Sequence, residues 1–175
     1  STSGQGSTFI VTLPAGPIEA IRLVTPNEIH QQQTAEHAPA GASWRLPKTR
    51  ILIVDDGEEN RELVRLLLEE AGALTEQAEN GRVAVEKALT RPYDLILMDM
   101  QMPVMDGETA TRLLRSRGLK TPIVALTAHA MKGFEDSILA AGCTAYLTKP
   151  IDLDRLMTTV ARLAGGVLDT AAVKK

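Results

Sequence analysis

The sequence predicts an α/β fold: a parallel sheet of five strands with five helices distributed over its two faces. Two observations carry this prediction. Between residues 50 and 164, short apolar runs alternate with helical patterns five times, and strands alternating with helices imply a parallel sheet. The strand candidates are near-continuous apolar runs, as expected for a sheet buried on both faces.

The elements follow in order. Arg50–Val54 is an apolar run ending in acids, the first strand. Glu58–Ala71 carries Leu63, Leu66 and Leu67 at helical spacing and stops at Gly72. Leu74–Ala78 reads as a weak strand, and Arg82–Thr90 as a short helix with Val85, Ala88 and Leu89 inward. Asp94–Met98 is a buried strand. Asp106 caps a helix that runs through Ser116. Pro122–Leu126 is another buried strand, and Met131–Ala141 a helix ending at Gly142. Ala145–Thr148 is the last strand. Asp152 caps a final helix with Leu153, Leu156, Val160 and Leu163 on one face.

The flanks differ in texture. Residues 1–48 hold five prolines, a Gln31–Gln33 run and the stretch Ala38–Ala42, with no long apolar periodicity. This reads as a linker with little core of its own. Ser7–Leu13 is the exception, because Phe9, Val11 and Leu13 alternate with Thr8, Ile10 and Thr12 as in a strand. A lone strand is not stable by itself. The tail from Gly165 to Lys175 is rich in small residues and is expected to fray.

Composition narrows the function classes. The chain has 175 residues, 44% apolar and 23% charged, which is ordinary for a folded domain. Its net charge of -3 and 3% aromatic content argue against a nucleic-acid partner. No apolar run is long enough for a transmembrane helix, so no membrane contact is expected of this fragment. Ser1–Ser7 lacks the basic start and apolar core of a signal peptide. The single cysteine, Cys143, fits a cytoplasmic setting and reads as a small buried hydrophobe.

The chemistry lies at the strand ends. Asp55 and Asp56 follow the first strand, and Asp99 follows the third. Ligand sites of open parallel sheets lie beyond the carboxyl ends of the strands, where strand order reverses. If those two strands are neighbours, three acids crowd one crevice and resist ionising together. A hard divalent cation resolves this, and Mg²⁺ prefers carboxylates, waters and a phosphate. Thr127 follows the fourth strand, and Lys149 and Pro150 follow the fifth. One edge therefore collects three acids, a hydroxyl and an ammonium, a set suited to phosphoryl transfer onto a carboxylate.

These pieces also resemble the receiver domain of two-component response regulators. The resemblance rests on Ile51–Asp56, on Asp94–Gly107, on Val124–Ala128 and on Tyr146–Pro150. Asp99 lies 44 residues after Asp55, Thr127 28 after Asp99, and Lys149 22 after Thr127. The match covers residues 50–164. It implies a flavodoxin-like, doubly wound five-stranded parallel sheet of order 2-1-3-4-5. It further implies that Asp99 is the phosphoacceptor and that Asp55, Asp56, Asp99 and the backbone carbonyl of Gln101 hold Mg²⁺. Lys149 pairs with the phosphoryl group, and its bond to Pro150 is cis. Thr127 and Tyr146 are the switch pair, and Gln101 and His129 tune phosphoryl lifetime. Such a domain catalyses its own phosphorylation and dephosphorylation without a kinase core.

A shorter resemblance, Gly4–Pro14, is to the end of a histidine-kinase ATP-binding domain. Together the two imply a hybrid histidine kinase, whose parent chain can be membrane-anchored. They divide the chain into a kinase remnant at 1–14, a linker at 15–49, a receiver at 50–164 and a flexible tail at 165–175. The implied partners are a kinase phosphohistidine domain and a histidine phosphotransfer protein, docking on the first helix at Asn60, Arg61 and Val64. Three rivals stand beside this reading, and one of them, a DNA-binding regulator, is opposed by the mere 11 residues that follow Ala164. A haloacid-dehalogenase-type phosphatase would need a second acid two residues after its nucleophile, and Gln101 stands there. A receiver-like interaction module without phosphorylation is the alternative that the intact acids oppose.

Overall fold

The computed structural model describes residues 43–128, 134–165 and 167–169. Its order is β1 (Ser43–Arg45), β2 (Arg50–Val54), α1 (Glu58–Glu70), β3 (Leu74–Ala78), α2 (Gly81–Thr90), β4 (Leu95–Asp99) and α3 (Gly107–Ser116). Then come β5 (Ile123–Thr127), α4 (Phe134–Ala141), β6 (Ala145–Thr148), α5 (Leu153–Ala164) and β7 (Val167–Asp169). The main sheet has five parallel strands in the order β3-β2-β4-β5-β6. Counted within that sheet, this is the expected order 2-1-3-4-5, with the reversal between β2 and β4.

Side chains alternate across the sheet and build two cores. Ile51, Ile53, Leu95, Leu97, Val124, Leu126 and Leu147 face α1 and α5, and meet Val64, Leu68, Leu156 and Val160 there. Leu52, Val54, Ile96, Met98, Ile123 and Ala125 face the other way, and meet Ala84, Ala88, Ala110, Leu114 and Ile138. Each fully buried Leu or Ile contributes about 1.5–3 kcal/mol relative to exposure. Three helices start on capping side chains: Asn80 accepts from the Val83 N–H, Asp106 from Thr109 and Asp152 from Arg155.

The expected helix faces need correction. In α1 the buried residues are Val64 and Leu68, whereas Leu63 and Leu66 are exposed. In α2, Ala84 is buried alongside Val85 and Ala88, and Leu89 is exposed. In α5, Met157 and Ala161 join Leu156 and Val160 inside, and Leu153 is exposed. Each helix offers two overlapping stripes at helical spacing, and the strand beneath selects one.

The flanks are also more structured than their composition implies. β1 and β7 pair antiparallel, with Ser43 opposite Asp169 and Arg45 opposite Val167. Trp44 packs against the α1/α5 core, Leu46 is buried in it, and the Leu46 N–H donates to the Ala71 carbonyl at 2.7 Å. Fraying from Gly165 onward therefore does not hold for Val167–Asp169. Gly165 makes this return possible, since it ends α5 at φ 74, a left-handed conformation that glycine adopts without strain. The kinase remnant at 1–14, most of the 15–49 linker, His129 and residues 170–175 lie outside the described residues. So do residues 131–133, the expected first turn of the helix seen as α4. Among the described residues no helix is long and apolar enough to cross a membrane.

Candidate functional site

Strand register assembles the site. Val54 is paired with Met98, so the next residues, Asp55 and Asp99, emerge side by side. Asp99 is paired with Leu126, and Thr127 with Thr148. Thr127 and Lys149 thus complete the same edge. Carboxylate oxygens of Asp55, Asp56 and Asp99 lie within 4.8 Å of one another. Asp55 and Asp99 are buried, and Asp56 is exposed.

Lys149 bridges the two buried acids. Its Nζ lies 2.7 Å from Asp55 Oδ2 and 2.7 Å from Asp99 Oδ2. Its peptide to Pro150 is cis, and its own N–H donates to the Thr127 carbonyl at 2.7 Å, which ties it to the end of β5. The remaining carboxylate oxygens are also held. Asp99 Oδ1 accepts from the Gln101 N–H at 3.0 Å. Asp55 Oδ1 accepts from the Gly57 N–H at 2.8 Å and from Asn60 Nδ2 at 3.2 Å.

Burial pushes the Asp99 carboxyl up, and the charge of Asp55 adds to this; Lys149 and the Gln101 N–H pull it back without overcoming burial. Burial works against the Lys149 charge as well, but its hydrogen bonds to Asp55 and Asp99 outweigh that and hold the ammonium above the usual lysine value. Both shifts are upward, which favours the charged lysine and the neutral Asp99, because one ammonium is shared by two buried acids. The cation always has a partner, while each acid has only a share of it.

The other expected residues fall as follows. Thr127 is fully buried at the end of β5. Gln101 is exposed on the loop after β4. Tyr146 on β6 packs half-buried against the Met98 core layer. Gly107 closes the loop behind Asp99: a Cβ there would stand 2.1 Å from the Asp99 carbonyl oxygen, so only glycine fits. In the same loop Val104 has φ 70, and the Met105 N–H donates to the Pro103 carbonyl, which makes a γ-turn centred on a β-branched residue.

The structure corrects the docking residues. Val64 is buried. Arg61 turns inward, donating from Nη1 to the Asp55 carbonyl at 2.7 Å and from Nε to Gln77 Oε1 at 3.2 Å. A groove of about 350 Å³ does lie beside Lys149, lined by Asn60, Leu63, Val64, Pro150, Ile151 and Leu153. Its exposed residues are Asn60, Leu63, Pro150 and Leu153. Sequence reasoning did not find Arg61 as a partner of Asp55, although its place one turn into the helix after the acids was visible.

Comparison with known proteins agrees with this geometry. Residues 51–161 match the family described as response regulator receiver domain. The chain is 42% identical over 117 residues to two-component response regulator ORR41 of Oryza sativa subsp. japonica, covering 65% of this chain and 92% of that one. It is 38% identical over 155 residues to the signal transduction histidine-protein kinase BarA of Escherichia coli K12, covering 87% of this chain but only 17% of the kinase. Two solved structures are similar. One is the receiver domain of sensor histidine kinase PA1611 from Pseudomonas aeruginosa with magnesium coordinated in its active-site cleft (TM-score 0.62, 36% identity, 68% of this chain, 99% of that one). The other is the complex of the Saccharomyces cerevisiae histidine phosphotransfer protein Ypd1 with the Ssk1 receiver domain (TM-score 0.63, 30% identity, 69% of this chain, 91% of that one). With the sheet order, the acid edge and the bridging lysine in place, the chain belongs to the response regulator receiver family, the receivers of two-component signalling.

Proposed function

We propose that this receiver accepts a phosphoryl group from a kinase phosphohistidine on Asp99 and passes it to a histidine phosphotransfer protein. The observation that carries this is Lys149 Nζ at 2.7 Å from both Asp55 and Asp99, with Asp56 beside them. A free oxygen lone pair of Asp99 attacks phosphorus, the new O–P bond forms as the P–N bond breaks, and the leaving imidazole nitrogen takes up a proton. Lys149 then pairs with the phosphoryl oxygens in place of the lost carboxylate charge.

The donor set around this position is all hard oxygen, as Mg²⁺ requires. Asp55, Asp56, Asp99 and the Gln101 carbonyl would hold the ion, which when bound neutralises phosphoryl charge. Thr127, next along the edge, donates its hydroxyl to the phosphoryl oxygen, and Tyr146 follows it inward; this pair forms the switch. Gln101 and His129, two residues beyond Asp99 and Thr127, tune how long the phosphoryl group lasts. The groove from Leu63 to Leu153 receives the apolar surface of the histidine-bearing partner.

Residues 1–14 are read as the end of a kinase ATP-binding domain and 15–49 as linker. The BarA alignment supports a kinase-linked receiver, because its 155 residues exceed the stretch from Arg50 to Lys175 and so reach into the segment upstream of the receiver. The parent chain is then a hybrid histidine kinase with this receiver on the cytoplasmic side. The test is intact mass after incubation with Mg²⁺ and acetyl phosphate. One added phosphoryl group, absent in Asp99→Asn and blocked by EDTA, is expected. No gain and no Mg²⁺ binding would turn the reading to an interaction module without phosphorylation.

A further inference from the structure

We infer that Arg61 is a positioning residue for the Asp55–Asp56 pair, setting its grip on a divalent cation without touching the ion. This rests on the reading of the crevice as a Mg²⁺ site. β2 ends at Val54, where its ladder partners are Ala78 and Met98. The Asp55 N–H still reaches the Ala78 carbonyl at 3.2 Å. Its carbonyl lies beyond the last ladder residue, and Arg61 Nη1 meets it at 2.7 Å. That carbonyl belongs to the peptide joining Asp55 to Asp56. Holding it fixes how the backbone leaves the strand, and with it where the exposed Asp56 carboxylate stands.

The guanidinium is itself anchored. Nε donates to Gln77 Oε1 on β3, and α1 holds the side chain's root. The same first turn of α1 supplies Asn60 and the Gly57 N–H to Asp55 Oδ1. Asp55 is therefore restrained at side chain and carbonyl together, whereas Asp56 has the restrained peptide. Groups that orient ligands from behind commonly change metal affinity by about 10- to 100-fold when removed. A planar fork with two fixed donors suits this task, and a lysine ammonium does not reproduce it.

The experiment titrates Mg²⁺ alone into the 175-residue chain and its variants by calorimetry, with a thermal melt on each. Arg61→Ala is expected to weaken Mg²⁺ binding about tenfold. Arg61→Lys should recover part of the loss, and Gln77→Ala, which spares the Asp55 carbonyl contact, should weaken binding by less than about threefold. Acetyl-phosphate labelling of Arg61→Ala should return to the wild-type level at saturating Mg²⁺. Should Arg61→Ala not fold, Arg61→Gln takes its place with the same expectation. A folded variant that binds Mg²⁺ within about twofold of wild type overturns the assignment, as does labelling that saturating Mg²⁺ fails to restore. A wild type that binds no Mg²⁺ removes the site reading and this assignment together, a result distinct from tight wild-type binding with an indifferent variant.

Discussion

Replacing Asp99 by asparagine should stabilise the metal-free protein. The acid oxygens lie within 4.8 Å of one another, so at an effective dielectric of about 20 each neighbouring acid repels Asp99 by about 3.5 kcal/mol. Lys149 at 2.7 Å attracts it by about 6 kcal/mol on the same scale. With two acid neighbours, one of them exposed and more screened, the Coulomb terms nearly cancel. Burial of the carboxylate then decides, at up to several kcal/mol per ion. Asparagine keeps the shape and still accepts from the Gln101 N–H without a charge. We expect a gain of about 1–3 kcal/mol, or about 4–12 °C in melting temperature for a domain of this size. The assay is calorimetric melting in EDTA across pH. Because the folded Asp99 carboxyl lies above its ordinary value, wild-type stability from this group is full at low pH and falls as pH rises through the folded value. The advantage of asparagine should thus open with rising pH and close near about pH 4. An asparagine variant that melts below wild type at neutral pH, or by a margin that ignores pH, refutes the reasoning.

Three further outcomes are expected. Gly107→Ala should lower stability by about 3 kcal/mol in urea unfolding, since its Cβ would meet the Asp99 carbonyl at 2.1 Å; a loss below about 1 kcal/mol would mean the loop yields freely. Val104→Gly should raise stability by about 1 kcal/mol by relieving φ 70 at a β-branched residue that is 73% exposed and has little packing to lose; an unchanged or lower urea midpoint contradicts this. Burial, with the hydrogen bond to Glu76, pushes the Tyr93 hydroxyl up to about 12. Its stabilising share is full below the ordinary tyrosine value and lost as pH rises through about 12. Ultraviolet titration should show one tyrosine ionising late, and earlier in Glu76→Gln; an early Tyr93 in the wild type would sink the assignment.

The strands and the acid edge were legible because apolar runs and strand-end residues carry their own signal. Asp55, Asp99, Thr127 and Lys149 needed only register to meet. Helix faces were less so. In α1 both Leu63–Leu66–Leu67 and Val64–Leu68–Ala71 fit the helical period, and only the position of β2 and β4 distinguishes them. The inward turn of Arg61 depends on a carbonyl that no side-chain pattern reports. Val167–Asp169 is too short to read as a strand, and its partner lies more than 120 residues earlier. Pairs of that kind exist only once the domain between them has folded.

The β1–β7 ribbon has a consequence for how the domain sits in any longer chain. Ser43 faces Asp169 across an antiparallel pair, so incoming and outgoing backbones pass about 5 Å apart and run in opposite directions. A domain with such a doorway can be spliced into a loop of a host without spreading that loop. It also permits rearranged connectivity: joining residues 43 and 169 through a short linker and opening the chain elsewhere should leave the sheet intact. The doorway lies against α5 through Trp44, the helix that follows Lys149 and Pro150. A pull on either strand therefore arrives at the helix whose start lies four residues beyond the bridging lysine.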